Sequence, residues 1–179
     1  MKISSYIRRI DDLGRIVIPK EIRRSIHIKK GDTLQISINS ENNVVISKYS
    51  FLDSVSSFAQ ELVESMNVFT KNNILIIDKN EIIACSGTLK NKLLNKPISD
   101  ELLEKIIRRE KILQNHKKEL NLIVDKKIKC SYVNNPIIIN GESVGLVMIL
   151  SEKDILTDFE MRIVEMMSLV ITKYLDEYK

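Results

Sequence analysis

The stretch that decides the fold is YIRRIDDLGRIVIPKEIRRSI, Tyr6 to Ile26. It places five arginines (Arg8, Arg9, Arg15, Arg23 and Arg24) around one glycine, one proline and a frame of isoleucines. SYIRRI has strand character, DDLG reads as a turn, and RIVI reads as a β-branched strand stopped by Pro19, which has no N–H to give a ladder. Pro19 also suits the first position of a helix, and KEIRRSI supplies about two turns with Ile22 and Ile26 on one face. Farther on, Gly31 in KKGD is free to take positive φ. TLQISI alternates at period two and sets Leu34, Ile36 and Ile38 on one face, NSENN is a hairpin connection, and VVISK returns.

Charge separates this segment from the rest. The 179-residue chain carries a formal +4. Residues 1–50 hold ten Lys/Arg against five Asp/Glu, and residues 51–179 hold eighteen against nineteen, so the entire excess lies in the first 50 residues. Such asymmetry points to an anionic partner for the head. Arginine offers a planar fork that matches phosphate and the guanine edge, whereas lysine acts as a point charge. Lys2, Lys20, Lys29 and Lys30 lie beside the arginines. A segment near 50 residues with neither disulfide nor metal is marginal alone, so the head is expected to fold as a dimer with a shared core.

The second part, residues 51–179, reads as α+β. Phe51, Val55, Phe58, Leu62 and Met66 form one apolar stripe of a helix, with Ser50 and Asp53 as an N-terminal capping signal. NILIIDKNEIIACSG is a strand, a turn and a strand. Ser99 caps DELLEKIIRREKIL, with Leu102 or Leu103, Ile106 and Ile107 inward. NGE joins two strands in a hairpin. Thr157 and Glu160 make a capping box for the last helix, which aligns Phe159, Ile163, Met166, Val170 and Tyr174. An antiparallel sheet flanked by helices is the expected architecture.

Several classes are disfavoured. Cys85 and Cys130 sit in no ligand spacing, so no metal is expected, and both suit strand cores. His27 and His116 lie in unrelated basic surroundings, with no nucleophile triad or phosphate loop, so no enzyme, catalytic residue or cofactor is expected. No stretch approaches 18 apolar residues and no signal peptide opens the chain, so a cytoplasmic protein off the membrane is expected.

IRRIDDLGRIVIPKEIRRSIHIKKGDTLQI resembles the DNA-binding domain of the AbrB family of bacterial transition-state regulators. The shared elements are Arg9, the Asp11–Gly14–Arg15 motif, the run from Ile18 to Arg23, and Gly31 to Leu34. The resemblance implies a swapped-hairpin, barrel-like dimer. It assigns DNA contact to Arg8, Arg9, Arg15, Arg23 and Arg24, with the four lysines beside them and Asp11, Gly14, Pro19 and Gly31 shaping the turns. Lys30 stands where many relatives carry an acid. The whole chain is similar, in order and spacing, to sporulation regulators of endospore-forming bacteria, in which such a head precedes a GAF-like domain. That similarity implies a homotetramer, binding to A·T-rich double-stranded DNA near the forespore nucleoid, and both activation and repression of late genes. The resemblance also offers an unidentified small-molecule effector on the GAF side, with Cys85, Ser86 and Gly87 as candidate pocket residues; core and turn duty is the favoured reading of these three. Two other functions compete: an antitoxin that binds DNA and a toxin, and a ligand sensor that binds no DNA. An antitoxin would carry an acidic, disordered tail, whereas residues 51–179 are apolar and well capped.

Overall fold

The computed structural model describes residues 6–26, 28, 30, 33–50, 52–124 and 126–177. The chain divides into two compact units, residues 1–49 and 50–179.

The first unit contains a short helix, α1 (Lys20–Ser25), and a hairpin of β1 (Leu34–Ile38) and β2 (Val44–Lys48). The helix begins one residue later than the sequence suggests. Pro19 is the residue before it, and the Pro19 carbonyl accepts the Arg23 N–H at 3.0 Å. The hairpin is antiparallel, with Ile36 opposite Ile46. Asn39 closes its turn: Oδ1 accepts the N–H groups of Glu41 (3.1 Å) and Asn43 (2.8 Å), while Asn42 takes φ +60°.

The strands expected in SYIRRI and RIVI are absent in the single chain, where residues 6–10 and 15–19 carry no ladder. The physical reason is the lack of a neighbour, because a strand exists only when another segment bonds to it. Burial tells the same story. Among the described residues of this unit, Pro19 alone is buried. Ile7 is 94% exposed, Val17 75%, Ile36 70% and Ile38 71%. The alternation of β1 is real, but its apolar face has nothing over it within one chain.

The second unit is a five-stranded antiparallel sheet in the order β4-β3-β7-β6-β5. Its strands are β3 (Asn73–Asp78), β4 (Ile82–Ser86), β5 (Ile112–Ile123), β6 (Lys126–Ile139) and β7 (Glu142–Ser151). Helices α2 (Ser56–Thr70) and α5 (Asp158–Glu177) supply one core with the sheet, where Ala59, Val63, Val164, Met167 and Ile171 meet Ile74, Ile76, Val147 and Ile149. The short α3 (Lys90–Leu93) and α4 (Asp100–Ile107) supply the other, where Leu93, Leu102 and Ile106 meet Leu75, Ile77, Met148 and Leu150. With both faces covered, β3 is buried at every position, which accounts for its unbroken apolar run.

Local signals explain most boundaries. Ser99 Oγ accepts the Leu102 N–H at 3.2 Å and starts α4. Glu160 Oε2 accepts the Thr157 N–H at 2.8 Å and starts α5. Asn140 (φ +50°) and Gly141 (φ +76°) make the tight β6–β7 turn. Pro136 is tolerated in β6 because the β5 ladder ends at Asn134, so its missing N–H faces no partner there.

Other expectations need correction. Ser50 Oγ accepts the Leu52 N–H at 3.1 Å but caps only a 3-10 turn, Asp53–Val55, and α2 begins after it. The buried face of α2 is Ala59 and Val63, with Phe58, Leu62 and Met66 at its margin; Phe58 stacks on Tyr174 of α5 at 4.1 Å. Phe51, which heads the expected stripe, lies outside the described residues. In α4, Ile106 is buried and Ile107 exposed, and the helix stops well before Leu113, since Arg109 takes φ +56° and the chain enters β5. In α5 the inward residues are Met161, Ile163, Val164, Met167, Ile171 and Leu175, with Tyr174 packed against them; of the expected line Ile163 and Tyr174 face the core, whereas Phe159, Met166 and Val170 are exposed. This helix has two apolar faces, and the sequence pattern alone cannot rank them.

The sheet edge at β4 is closed by side chain and loop. Gln60 of α2 spans Cys85, donating to its carbonyl at 3.0 Å and accepting its N–H at 3.1 Å. Ile82 exchanges bonds with Asn95 and Lys96. Such coverage removes a template for aggregation.

Gly145 in β7 has no room for a side chain, because a Cβ there would lie 2.2 Å from the Ile77 carbonyl oxygen and 2.7 Å from Leu52 Cδ1. Gly145→Ala should therefore destabilise this unit by about 1–3 kcal/mol or more, read as a lowered urea midpoint of the sheet domain. An unchanged midpoint would show that β7 can shift freely.

Candidate nucleic-acid interface

The basic residues of the head stand on two local devices. The first is the turn at Asp11. The Asp11 carbonyl accepts the Gly14 N–H at 2.9 Å, and the Asp11 N–H donates to the Arg15 carbonyl at 3.1 Å. Oδ1 accepts the N–H groups of Leu13 (3.1 Å) and Arg15 (2.8 Å), and Oδ2 accepts Arg15 Nε at 2.8 Å. Gly14 takes φ +74°, a conformation that costs a side-chain-bearing residue and leaves glycine unstrained. Asp11, Gly14 and Arg15 are thus brought into one small structure. The arginine is held by one of its five donors, and its side chain remains 71% exposed.

The second device is α1. Arg23 and Arg24 occupy its last turn and are exposed. Positive charge there also suits the negative end of the helix dipole, so part of their reason for being there is local. Arg8 and Arg9 precede the Asp11 turn, both exposed, with Arg8 Nη1 donating to the Ile7 carbonyl at 3.3 Å. Lys20 opens α1 and Lys30 lies in the following turn, both exposed. Lys2, Lys29, Gly31 and His27 lie outside the described residues.

The electrostatics of the turn follow its bonds. Arg15 holds the Asp11 carboxyl below its ordinary value, first through its backbone N–H and then through its side chain. The ionised carboxylate is the form that closes the turn. Sequence reasoning read the Asp11–Gly14–Arg15 spacing as a turn but missed that the aspartate also aims the arginine. The signal was present in that four-residue spacing.

The other candidates are placed differently. Cys85 and Ser86 are buried at the end of β4, and Gly87 follows at φ +88°. Burial pushes the Cys85 thiol up to about 12 and the Cys130 thiol to about 11. Both are therefore protonated and unreactive near neutrality. Ser86 Oγ has no hydrogen-bond partner among the described residues. His116 is exposed on β5. Among the described residues no group of three or more His, Cys, Asp or Glu is placed to hold a metal ion, and no helix is long and apolar enough to cross a membrane.

Residues 54–176 match the family described as stage V sporulation protein T C-terminal, transcription factor. Residues 7–51 match the family described as antidote-toxin recognition MazE, bacterial antitoxin. Stage V sporulation protein T of Bacillus subtilis (strain 168) is 37% identical over 167 residues, covering 92% of this chain and 93% of that protein. Transition state regulatory protein AbrB of the same organism is 41% identical over 49 residues, covering 27% of this chain and 50% of that protein. Among solved structures, the GAF domain of A. aeolicus nlh2 in an inactive state aligns with TM-score 0.52 at 12% identity, covering 74% of this chain and 89% of that one. A type II free methionine-R-sulfoxide reductase from Thermoplasma acidophilum aligns with TM-score 0.54 at 10% identity, covering 72% and 96%. At such identities the likeness concerns the fold alone.

The Asp11 carboxyl should titrate below its ordinary 3.8. Because the shift is downward, the turn is intact above that value and loosens as pH falls through the depressed one. Carboxyl NMR titration checks this. Arg15→Ala should move the midpoint only part of the way back, since the backbone N–H remains. An Asp11 midpoint at or above 3.8 in the wild type would remove the turn's electrostatic basis.

The head is of AbrB type, the second unit is GAF-like, and the chain belongs to the stage V sporulation protein T family.

Proposed function

We propose that this protein regulates transcription during sporulation by binding double-stranded DNA through a dimeric head. The observation that carries the reading is a conjunction within the first compact unit. The arginines Arg8, Arg9, Arg15, Arg23 and Arg24 are exposed, and the same unit leaves Ile7, Ile10, Val17, Ile36, Ile38 and Val44 uncovered. A second copy supplies what is missing. Residues 6–10 and 15–19 become strands against the partner's hairpin, the apolar faces close into one core, and two symmetry-related arginine sets result. Membership of a family described as a transcription factor supports the same reading.

Each chain contributes about three to five cations to phosphate, so the dimer neutralises roughly six to ten charges and log K falls against log[salt] at about −0.9 per contact. Lys2, Lys20, Lys29 and Lys30 add to the phosphate contacts. Preference for A·T-rich sites comes from DNA shape rather than from a long run of base contacts. The regulator acts in the forespore, at the nucleoid, as activator at some promoters and repressor at others.

The second unit joins dimers into a tetramer. Phe159, Met166, Leu169 and Val170 of α5 and Val68 and Phe69 of α2 are exposed apolar side chains that fit this role. Linked heads gain avidity without new contacts. An effector of unidentified chemistry enters beside Cys85, Ser86 and Gly87; the Ser86 hydroxyl, without a hydrogen-bond partner among the described residues, supports this reading.

A second reading has one observation in its favour, the match of residues 7–51 to an antitoxin family. An antitoxin's toxin-binding tail folds on its partner, whereas here the residues after the head carry a sheet with two buried faces. That difference favours the regulator.

Binding to an A·T-rich duplex across a salt series tests the proposal. The wild type should bind tightly with a steep slope. Arg15→Ala should bind more weakly with a slope shallower by about 1.8 per dimer, and Arg15→Lys should restore the slope more than the affinity. Weak, salt-indifferent binding that ignores Arg15 would overturn the DNA-binding head. Residues 1–50 alone should bind far more weakly than the full chain, and equal affinity would sink the tetramer's avidity.

A further inference from the structure

The near-neutral charge of the second unit hides a local excess. Residues 114–129 contain Lys117, Lys118, Lys126, Lys127 and Lys129 against Glu119 and Asp125. Five cations against two acids leave +3 in sixteen residues, and the remainder of the unit, which totals −1, therefore carries −4. This excess lies in the distal part of the β5–β6 hairpin.

The fold gives this segment a distinct geometry. The β6–β7 ladder runs from Ser131 opposite Ser151 onward, whereas β5 and β6 remain paired down to Ile123 opposite Lys126. Residues 126–130 therefore pair with β5 alone, and the hairpin continues past β7 as a ribbon whose β5 side is met at Leu122 and Ile123 by Ser99 and Ile98. One face of the ribbon is buried through Leu120, Leu122, Ile128 and Cys130. Glu119 stands opposite Lys129, and Asn121 opposite Lys127, at the alternate positions. These alternate positions belong to the other face of the ribbon. Lys117, Lys118, Lys127 and Lys129 are all exposed. Lys127 Nζ lies 3.7 Å from Glu119 Oε2, and both side chains are mostly in solvent, so this pair neutralises little.

Edge protection is one duty of the cluster. Lysines on β5 shield an outer strand from pairing with another chain. Lys127 and Lys129 lie on β6 beyond its last pairing with β7 at Ser131, so they shield an edge as well. The chemistry also narrows the partner. Apart from His116, residues 114–129 hold no ring that stacks on an unpaired base, which disfavours single strands. Among the described residues of 114–129, Val124 is the one exposed large apolar side chain, too little to seat in a bilayer. Ammonium point charges on a ribbon suit the phosphates of a duplex.

From this we infer that the β5–β6 ribbon is a second, sequence-independent phosphate-contacting surface for double-stranded DNA, additional to the head. The inference rests on the proposed DNA-binding function. The second unit then contributes to binding directly as well as through assembly.

The test uses the full-length chain and a salt series on an A·T-rich duplex and on a scrambled one. Four proteins are compared: wild type, Lys127→Ala with Lys129→Ala, Arg15→Ala, and a control with the exposed Lys92 and Lys96 changed to Ala. The ribbon variant should lose affinity equally on both duplexes. Its slope should be shallower by about 0.9 for each phosphate left without its cation, up to about 1.8 per chain. The control should behave as wild type, and circular dichroism should report an unchanged fold. A ribbon variant with the wild-type slope, while Arg15→Ala still loses binding, overturns the inference and leaves the head intact. Wild-type protein that ignores both duplexes removes both. Loss of binding to phosphatidylserine vesicles with DNA binding unchanged would assign the ribbon to a membrane and overturn the DNA surface.

Discussion

Everything in the first unit depends on apolar surface that one chain cannot cover. Pro19 is its single buried residue among those described, and a unit of this size has little core to draw on in any case. Burial at about 25 cal/mol per Å² is the main term that opposes chain entropy, and it is missing here until another chain arrives. In the proposed dimer, folding and DNA recognition become one equilibrium. The arginines then need no separate scaffold, because the association that completes the core also sets them in symmetric pairs.

The Asp11 turn works on a smaller scale by the same logic. One carboxylate closes the turn through main-chain N–H groups and holds the Nε of the arginine that follows. A long side chain that would otherwise sample many rotamers is directed before any ligand arrives, which lowers the entropy lost on binding. Replacing Gly14 would strain the turn at φ +74° even though open space surrounds it.

The second unit solves the opposite problem. Its sheet has helices on both faces and two separate cores, so it is complete within one chain. Its exposed apolar side chains on α2 and α5 are not needed for its two cores, and in the proposed tetramer they form the interface. The ribbon's Lys117, Lys118, Lys127 and Lys129 are likewise exposed. In the proposed reading, such a regulator joins a part that folds by association to a part whose sheet is covered on both faces within one chain.

Much of this was legible in the linear chain. The charge asymmetry, the Asp11–Gly14–Arg15 spacing, the Ser99 and Thr157 caps and the Asn140–Gly141 turn are local properties, set by side chains that bond to their own backbone neighbours. They need no distant partner to take effect. Three things waited for tertiary structure. The α5 helix carries two apolar faces, and which one is core depends on where the sheet lies. The end of α4 and the start of β5 depend on a positive φ at Arg109 and on pairing with residues more than ten positions away. The ribbon lysines look like scattered surface charge until the β5–β6 register sets Lys127 and Lys129 on one face, opposite Asn121 and Glu119. The sequence alone determined the composition and the local turns; only the fold decided which faces meet, because packing depends on contacts that sequence separation does not encode.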